Sequence, residues 1–401
     1  MISKQDPRDK HLIRRLSAFF CALALILCLI PTSVQAANAT RVYVGGVELN
    51  TTNPYLANGS ATATNTQPTS GGYAYFDSST STLTLNNASI TEVRINVNDK
   101  YGIYADGDLN ISLVGTNSIA GESDASYNYF GIKTDSSGNL TLDGTGSLLV
   151  TSSTAAANNA EAVEGIRAGG KLTINGGNIT AKAGVSNYGA RFCNAIVAVD
   201  NIIINGGTVN AIGGKSNGNL NGGSSYGILS FGSMTINGGT VNASGGSAPE
   251  VESYGIFSNS TISITGGTVN VSGDLTANYS NGLQCHVFSM TGGVLSATGK
   301  NVALRSFTSS TITIAPMNGS VEYNAKESTF LPATWDANAK KYYIGNTEAK
   351  TLLIGRAPVG VPSAVNTGDD SGTLLWTGIM IISLLSLASG IVFKQKKRNE
   401  L

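Results

Sequence analysis

Short hydrophobic runs with a period of two recur along the middle of the chain, and they predict β-strands. Leu172 and Ile174 alternate with Lys171 and Thr173, and no helical period appears within such segments. The same alternation returns at Ile202/Ile204, Met234/Ile236 and Ile262/Ile264. The pattern indicates an all-β protein made of repeated strands.

Two glycine-containing tags recur in phase with these strands. The double-glycine tag advances by 30, 32, 28 and 26 residues, and a Gly-Ile-like tag precedes it by 11 residues four times and then by 10. The first tag stands at Gly176, Gly206, Gly238, Gly266 and Gly292; the second begins at Gly165, Ala195, Gly227, Gly255 and Gly282. Weaker copies begin at Gly102 and Gly131, and a degenerate one covers Leu83 to Ile90. Two tags locked in phase indicate one structural repeat.

Each copy is predicted to hold three short strands: the alternating run, a second strand after the double glycine, and a third that starts at the Gly-Ile tag. Asn-Gly-Gly suits the corner between strands because Asn and Gly tolerate positive φ. One copy cannot bury its apolar side alone, whereas stacked copies can. The sequence therefore predicts a right-handed parallel β-helix of about eight or nine rungs, roughly 40 Å long.

Stacking places equivalent residues of successive copies side by side. We expect Ile174, Ile204, Ile236 and Ile264 to share one buried file. The equivalent Asn175, Asn205 and Asn237 are expected to form a buried ladder of amide hydrogen bonds. Cys193 and Cys285 lie about three rungs apart, roughly 14 Å along the axis, so both are predicted to be free thiols.

Departures from the repeat divide the chain into segments. Residues 37–82, with the aromatic run from Tyr73 to Phe76, are predicted to form an N-terminal β cap. Residues 83–310 form the repeats, and 311–355, which contain Trp335, form a C-terminal β cap. Residues 356–373 are rich in Pro, Gly, Ser and Asp and are predicted to be a linker.

The two chain ends predict export and anchoring. Residues 1–36 have a basic start, an apolar run and small residues before Ala37, which is typical of a signal peptide. Residues 374–393 form a 20-residue apolar stretch without charge, long enough for a transmembrane helix, and 394–401 form a basic cytoplasmic tail. We therefore expect the repeats to lie outside the cell, anchored to the membrane or cell wall.

The order of a Thr-Gly motif, an apolar span and a basic tail resembles the cell-wall sorting signal of Gram-positive surface proteins. That resemblance implies cleavage by a sortase between Thr367 and Gly368 and linkage to peptidoglycan. The sequence has Ala364-Val365 where the usual motif has Leu-Pro. A single-pass membrane protein with a large outer domain is the alternative.

Composition narrows the possible functions. Lys and Arg total 25, as do Asp and Glu, so no excess positive charge supports nucleic-acid binding. Two His, one of them in the leader, provide little material for a transition-metal site.

The run from Tyr73 to Ile90, followed by Gly-Ile and Ile-Asn-Gly-Gly rungs, resembles clostridial carbohydrate-binding domain-containing proteins over roughly residues 41–320. That family is similar to pectate lyases in fold. The resemblance implies binding of polysaccharides such as cellulose and pectin, with calcium.

The residues themselves favour binding over catalysis. Acids between 144 and 300 are few, Arg167 and Arg191 are isolated in sequence, and no acid pair recurs at one rung position. Aromatic residues precede the Gly-Ile tag in four rungs, at Tyr101, Phe130, Tyr226 and Tyr254. These rings would stack on sugars if exposed, or would form a packing ladder if buried.

Asp106 and Asp108 are candidate calcium ligands, with backbone capping as the alternative. The sequence thus predicts a non-catalytic cell-surface carbohydrate-binding module or adhesin, whose partner is a polysaccharide or host-surface glycan. A polysaccharide lyase or hydrolase and a passive stalk or protein-binding surface are the alternatives.

Overall fold

The computed structural model describes most of the chain between residues 37 and 355. The described residues are 37–91, 94–96, 99–121, 128–152, 162–186, 192–216, 223–247, 252–312, 320–324, 329–336, 338–339, 341–344 and 347–355. Strands within them are numbered β1 to β33 in chain order. They form three parallel ladders flanked by antiparallel strands.

The first ladder contains the strands that carry the Gly-Ile tag. Its strands are β8 (Asp99–Ala105), β11 (Asn128–Thr134), β14 (Val163–Ala168), β17 (Ile196–Ala198), β20 (Ser224–Ser230), β23 (Glu252–Ser258), β26 (Tyr279–Met290) and β28 (Val302–Ile312). Each pairs in parallel with the equivalent strand one rung away. The prediction that the tag begins this strand is wrong for β8, β11, β14, β20, β23 and β26, which begin two or three residues before the tag. The pairing between neighbouring rungs extends back past the tag, as between Ser224 of β20 and Glu252 of β23.

The second ladder contains the alternating Leu/Ile runs. Its strands are β5 (Thr82–Asn86), β9 (Leu109–Val114), β12 (Leu140–Gly144), β15 (Leu172–Ile174), β18 (Ile202–Ile204), β21 (Met234–Ile236) and β24 (Thr261–Ile264), continued by the ends of β26 and β28. Ile174, Ile204, Ile236 and Ile264 pair in register and are fully buried. The predicted buried file is confirmed.

The third ladder follows the double glycines. Its strands are β6 (Ser89–Ile90), β10 (Thr116–Ala120), β13 (Ser147–Thr151), β16 (Asn178–Lys182), β19 (Thr208–Ile212), β22 (Thr240–Ser244), β25 (Thr268–Ser272) and β27 (Val294–Thr298). All of these pairings are parallel. The three strands predicted for each copy, and the parallel β-helix that they imply, are confirmed, and the inward side chains of all three ladders form one apolar core.

The corner before the third ladder requires glycine. Gly239 has φ +78°, and a Cβ built there would lie 2.5 Å from the carbonyl oxygen of Gly207. An L side chain would therefore meet both unfavourable backbone geometry and the neighbouring rung.

Asparagine ladders run along the stack at two positions. Asn205 donates to Asn175 at 2.8 Å and Asn237 donates to Asn205 at 2.9 Å, as predicted. These three side chains are exposed, so the prediction that the ladder is buried is wrong; it lies at a corner whose amides point to solvent. A second, half-buried ladder runs through Asn210, Asn242 and Asn270 on the outer side of the third ladder.

Antiparallel strands flank the first rung. They are β1 (Val42–Val44), β2 (Val47–Leu49), β3 (Tyr55–Ala57), β4 (Tyr73–Asp77) and β7 (Arg94–Asn96). β1 pairs with β2 and β8, β7 also pairs with β8, and β3, β4 and β5 form an antiparallel meander. Because β5 also pairs in parallel with β9, this meander continues the second ladder.

Antiparallel strands also flank the last rung. They are β29 (Ser320–Asn324), β30 (Thr329–Asp336), β31 (Lys341–Ile344), β32 (Thr347–Glu348) and β33 (Thr351–Ile354). β33 pairs with β27, and β31 pairs with β28. These pairings occupy backbone groups of the last rung that would otherwise face solvent.

Cys193 and Cys285 are both free and buried, which confirms the cysteine prediction. The predicted signal peptide (1–36), the linker with Thr367 and Gly368 (356–373), the transmembrane helix (374–393) and the tail (394–401) lie outside the described residues. Within the part of the chain that the structure describes, no helical segment has the length and hydropathy of a membrane span.

Candidate functional site

The four aromatic residues that precede the Gly-Ile tag lie on the outer face of the first ladder. They form two pairs of neighbours along the stack. The rings of Tyr101 and Phe130 are 6.0 Å apart, and those of Tyr226 and Tyr254 are 5.2 Å apart with an interplanar angle of 9°. The ring of Phe257 stacks on both members of the second pair, at 5.5 and 5.7 Å.

These rings are covered. Tyr101, Phe130, Tyr226 and Tyr254 are only 5 %, 4 %, 7 % and 0 % exposed. They pack on one another and on neighbouring side chains, so their faces are not free to stack on a sugar ring. The packing-ladder alternative describes them, which corrects their interpretation as an exposed platform.

Glu252 lies beside this aromatic cluster. The hydroxyl of Tyr226 donates to a Glu252 carboxylate oxygen at 3.1 Å. Burial, together with the Glu252 charge, raises the pKa of Tyr226 and of Tyr254 above that of an ordinary tyrosine. Both phenols therefore remain protonated at physiological pH and serve as neutral packing groups.

Charged side chains meet on the same face in the first rungs. Lys133 contacts Asp99 at 2.8 Å, and its Nζ lies 4.2 Å from the centre of the Phe130 ring. Asp99 also accepts hydrogen bonds from Asn128 and from the Tyr101 hydroxyl. Burial opposes ionisation of Asp99, but the hydrogen bonds from Lys133 and Asn128 outweigh it and hold the pKa of Asp99 below its ordinary value.

A second ion pair lies in the next rung. Arg167 contacts Glu164 at 3.0 Å, so the interpretation of Arg167 as an isolated residue is wrong. Both residues lie on β14, three positions apart. Glu164 is 1 % exposed, and this burial raises its pKa despite the neighbouring Arg167. The acids and bases of these two ion pairs are thus engaged with one another.

The proposed calcium ligands are engaged with the protein. Asp106 accepts hydrogen bonds from the backbone N–H groups of Thr40 and Arg41, at 2.9 and 3.2 Å. Asp108 accepts from the backbone and side-chain amides of Asn139, at 2.7 and 3.1 Å. No group of three or more metal-ligating side chains occurs among the described residues. The two carboxylates cap separate backbone segments, so they do not fit a shared calcium site.

A half-exposed tyrosine cluster lies on the outer face of the N-terminal meander, where sequence reasoning placed only a cap. The Tyr55 and Tyr75 rings stack at 4.5 Å, and Tyr73 meets Tyr55 edge-on at 6.0 Å. The Tyr73 hydroxyl accepts from the side-chain amides of Gln67 and Asn86. The alternation Tyr-Ala-Tyr-Phe at 73–76 was the available signal, since Ala74 and Phe76 are buried and both tyrosines face outward.

This tyrosine cluster continues into a row of small polar side chains. Tyr55 pairs with Tyr75, Tyr75 with Thr84, Thr84 with Ser112 and Ser112 with Asp143 across β3, β4, β5, β9 and β12. All five side chains alternate with buried neighbours and therefore face outward. We call these five residues the axial row.

Comparison with known proteins bears on the scaffold. A family model described as a beta helix repeat matches residues 172–190, 202–228 and 235–256. No curated protein and no solved structure matches the chain significantly. The matched segments contain strands of all three ladders and none of the axial row, so the match covers β-helix repeats and does not include the tyrosine cluster.

Proposed function

We propose that this chain is a non-catalytic surface protein that binds carbohydrate through the outer face of its N-terminal meander. One observation carries the proposal: Tyr55 and Tyr75 stack on each other, remain half-exposed, and adjoin the small polar residues Thr84 and Ser112. Apolar faces of a sugar pack on aromatic rings, while its hydroxyls need polar partners at the same surface. This face offers both.

The non-catalytic part of the proposal rests on the first ladder. General acid and base catalysis needs titratable groups that can reach a substrate. Asp99 and Lys133 hold each other, and Glu164 and Arg167 do the same. Each ion pair stabilises the surface of the rungs and leaves little capacity for a reaction on a bound polysaccharide.

The sequences of the chain ends support a location at the cell surface. A signal peptide over 1–36 would export the repeats, and residues 374–393 would hold the protein at the membrane until a sortase cuts between Thr367 and Gly368. The displayed β-helix would then act as an adhesin or carbohydrate-binding module on a Gram-positive cell wall. The resemblance to clostridial carbohydrate-binding domain-containing proteins supports this placement.

The test is retention on a glycan array. The purified full-length chain should bind at least one polysaccharide, and Tyr75→Ala should lose that binding, whereas Tyr75→Phe should retain it because the ring supplies the contact. Tyr104→Ala is the matched control, since Tyr104 is a half-exposed tyrosine on the first ladder. Equal loss in Tyr104→Ala, or wild-type binding by Tyr75→Ala, would contradict the proposal.

A further inference from the structure

The axial row runs across the strands, and therefore along the axis of the stack. Neighbouring strands are about 4.8 Å apart, so the row from Tyr55 to Asp143 measures roughly 19 Å. Its tall members, Tyr55 and Tyr75, stand at one end, and the other members are Thr84, Ser112 and Asp143. The surface thus has large aromatic side chains at one end. At the other end it has the shorter side chains of Thr84, Ser112 and Asp143, which we call the polar floor.

One face of the Tyr75 ring is available to a ligand, at the point where the aromatic end of the row meets the polar floor. Tyr55 covers the other face by stacking at 4.5 Å. The neighbour of Tyr75 on the opposite strand is Thr84, followed by Ser112, and neither side chain is long enough to cover an aromatic ring. A sugar lying on Thr84 and Ser112 would meet this ring face.

A groove extends the polar floor. It has a volume of about 440 Å³ and is lined by residues of β5, β9 and β12 and by Asn175, at the corner after β15. The polar side chains that line it are Thr82, Asn110, Ser112, Thr141, Asp143 and Asn175. Thr82, Asn110 and Thr141 form a second row in register, two residues along the strands from the axial row. The groove therefore provides hydroxyl and amide groups on both sides of an axial path.

The charge of this groove limits its occupant. Asp143 is the only charged side chain among the described residues that line it. Asp77, which faces outward from β4 beside Thr82, adds a second carboxylate nearby, and hydrogen bonds from Ser79 and Thr80 hold its pKa below the ordinary value. A polymer of uronic acids would bring negative charge to a surface that is already negative.

We propose that the tyrosine cluster and this groove form one binding track, which holds a single neutral polysaccharide chain parallel to the axis of the β-helix. The inference rests on the proposed function and adds to it the direction, the extent and the charge of the ligand. Tyr75 packs against one sugar ring, and the next rings along the chain hydrogen-bond to Ser112, Asn110 and Asp143. Tyr75 and Asp143 lie three strands apart, so one sugar unit cannot reach both.

The test compares oligosaccharides of increasing length. Titration calorimetry on the full-length chain uses cello-, xylo- and manno-oligosaccharides from disaccharide to hexasaccharide, with oligogalacturonates of the same lengths. Affinity for at least one neutral series should rise with length, and oligogalacturonates should bind at least tenfold more weakly (roughly 1.4 kcal/mol). Tyr75→Ala should weaken every length. Asp143→Asn should weaken only the longer members, by roughly three- to tenfold, because it alters one hydrogen-bonding group at the far end.

The outcomes separate this inference from the proposed function. Asp200→Asn is the matched control, because Asp200 is an exposed carboxylate at a corner outside the groove and should bind like wild type. If Tyr75→Ala weakens binding while Asp143→Asn affects no length, or affects all lengths equally, the track is refuted and glycan binding stands. Oligogalacturonates that bind as tightly as the neutral sugars also refute it. If no glycan binds to the array or in solution, both proposals fail.

Discussion

The ring of Tyr254 lies 5.2 Å from the ring of Tyr226, with the two planes only 9° from parallel. This contact joins two rungs on the outside of the β-helix, where the core does not reach. It indicates that the first ladder is stabilised on both of its faces.

Replacement of Tyr254 by Ala should therefore destabilise the protein strongly. Tyr254 is fully buried, so the change leaves a cavity beside Tyr226 and Phe257, and we expect a loss of about 3–5 kcal/mol in the free energy of unfolding. Denaturant unfolding followed by circular dichroism measures it. Tyr279→Ala is the control, since Tyr279 is 37 % exposed on the adjacent strand and should lose far less. Similar losses in both variants would contradict the packing role.

The two asparagine ladders should differ in their contribution to stability. Asn242 donates to Asn210 and accepts from Asn270 in a half-buried position, whereas Asn205 makes equivalent bonds in an exposed one. Asn242→Ala should cost about 1–3 kcal/mol, because it leaves partly buried amides without partners. Asn205→Ala should cost less, since water replaces its partners. Thermal unfolding of the two variants, compared side by side, would refute this ranking if Asn205→Ala were the less stable.

Cys193 and Cys285 should be chemically silent in the native protein. Burial raises the pKa of each thiol to about 12, so the reactive thiolate is scarce at pH 8. Labelling with iodoacetamide, read by mass spectrometry of the peptides that contain each cysteine, should show modification only after unfolding. Rapid native labelling of either residue would show that its rung opens to solvent.

Asp106 should link stability to pH at the N-terminal end. Burial opposes its ionisation, but backbone hydrogen bonds from Arg41 and Thr40 outweigh it and hold the pKa of Asp106 below the unfolded value. A depressed folded pKa stabilises the protein above the unfolded pKa, near 3.9, and this stabilisation is lost as the pH falls through the folded pKa. Asp106→Asn should thus lower the Tm at pH 7.

The same variant should approach wild type in acid. As the pH falls through the lowered pKa of the folded state, the wild-type carboxyl takes up its proton, and the difference in Tm between the two proteins should shrink. A constant difference from pH 7 to pH 2 would show that charge at Asp106 is not the cause. Asp200→Asn, at an exposed corner, should match wild type throughout.

The ladders could be predicted from sequence because two periodicities agree. Alternation placed Ile204 and Ile236 inward, and the phased glycine tags gave their register, so the contact between them followed without any other information. Exposure of the corner amides was harder to predict. Asn205 lies next to a buried Ile204, but the chain turns there, and strand alternation no longer determines which way a side chain points.

The candidate site was predicted less well, for a physical reason. Alternation along a strand predicts that a tyrosine faces outward, but it does not predict whether other side chains cover the ring. That coverage depends on residues of neighbouring strands. Phe257 covers Tyr226, whereas only Thr84 and Ser112 follow Tyr75. The axial row also joins antiparallel strands of the meander to parallel strands of the second ladder. Its register depends on the turn between β4 and β5, which the repeat does not specify.

The unequal steps between double-glycine tags have a practical consequence. The step varies from 26 to 32 residues, while the interval from the Gly-Ile tag to the double glycine stays at 11 in four of five copies. Extra residues therefore enter mainly at the corner between the third and the first ladder. Foreign peptides grafted at that corner, for example as displayed epitopes, should leave the spacing of Tyr75, Ser112 and Asp143 unchanged. The β-helix is therefore a candidate platform for surface display.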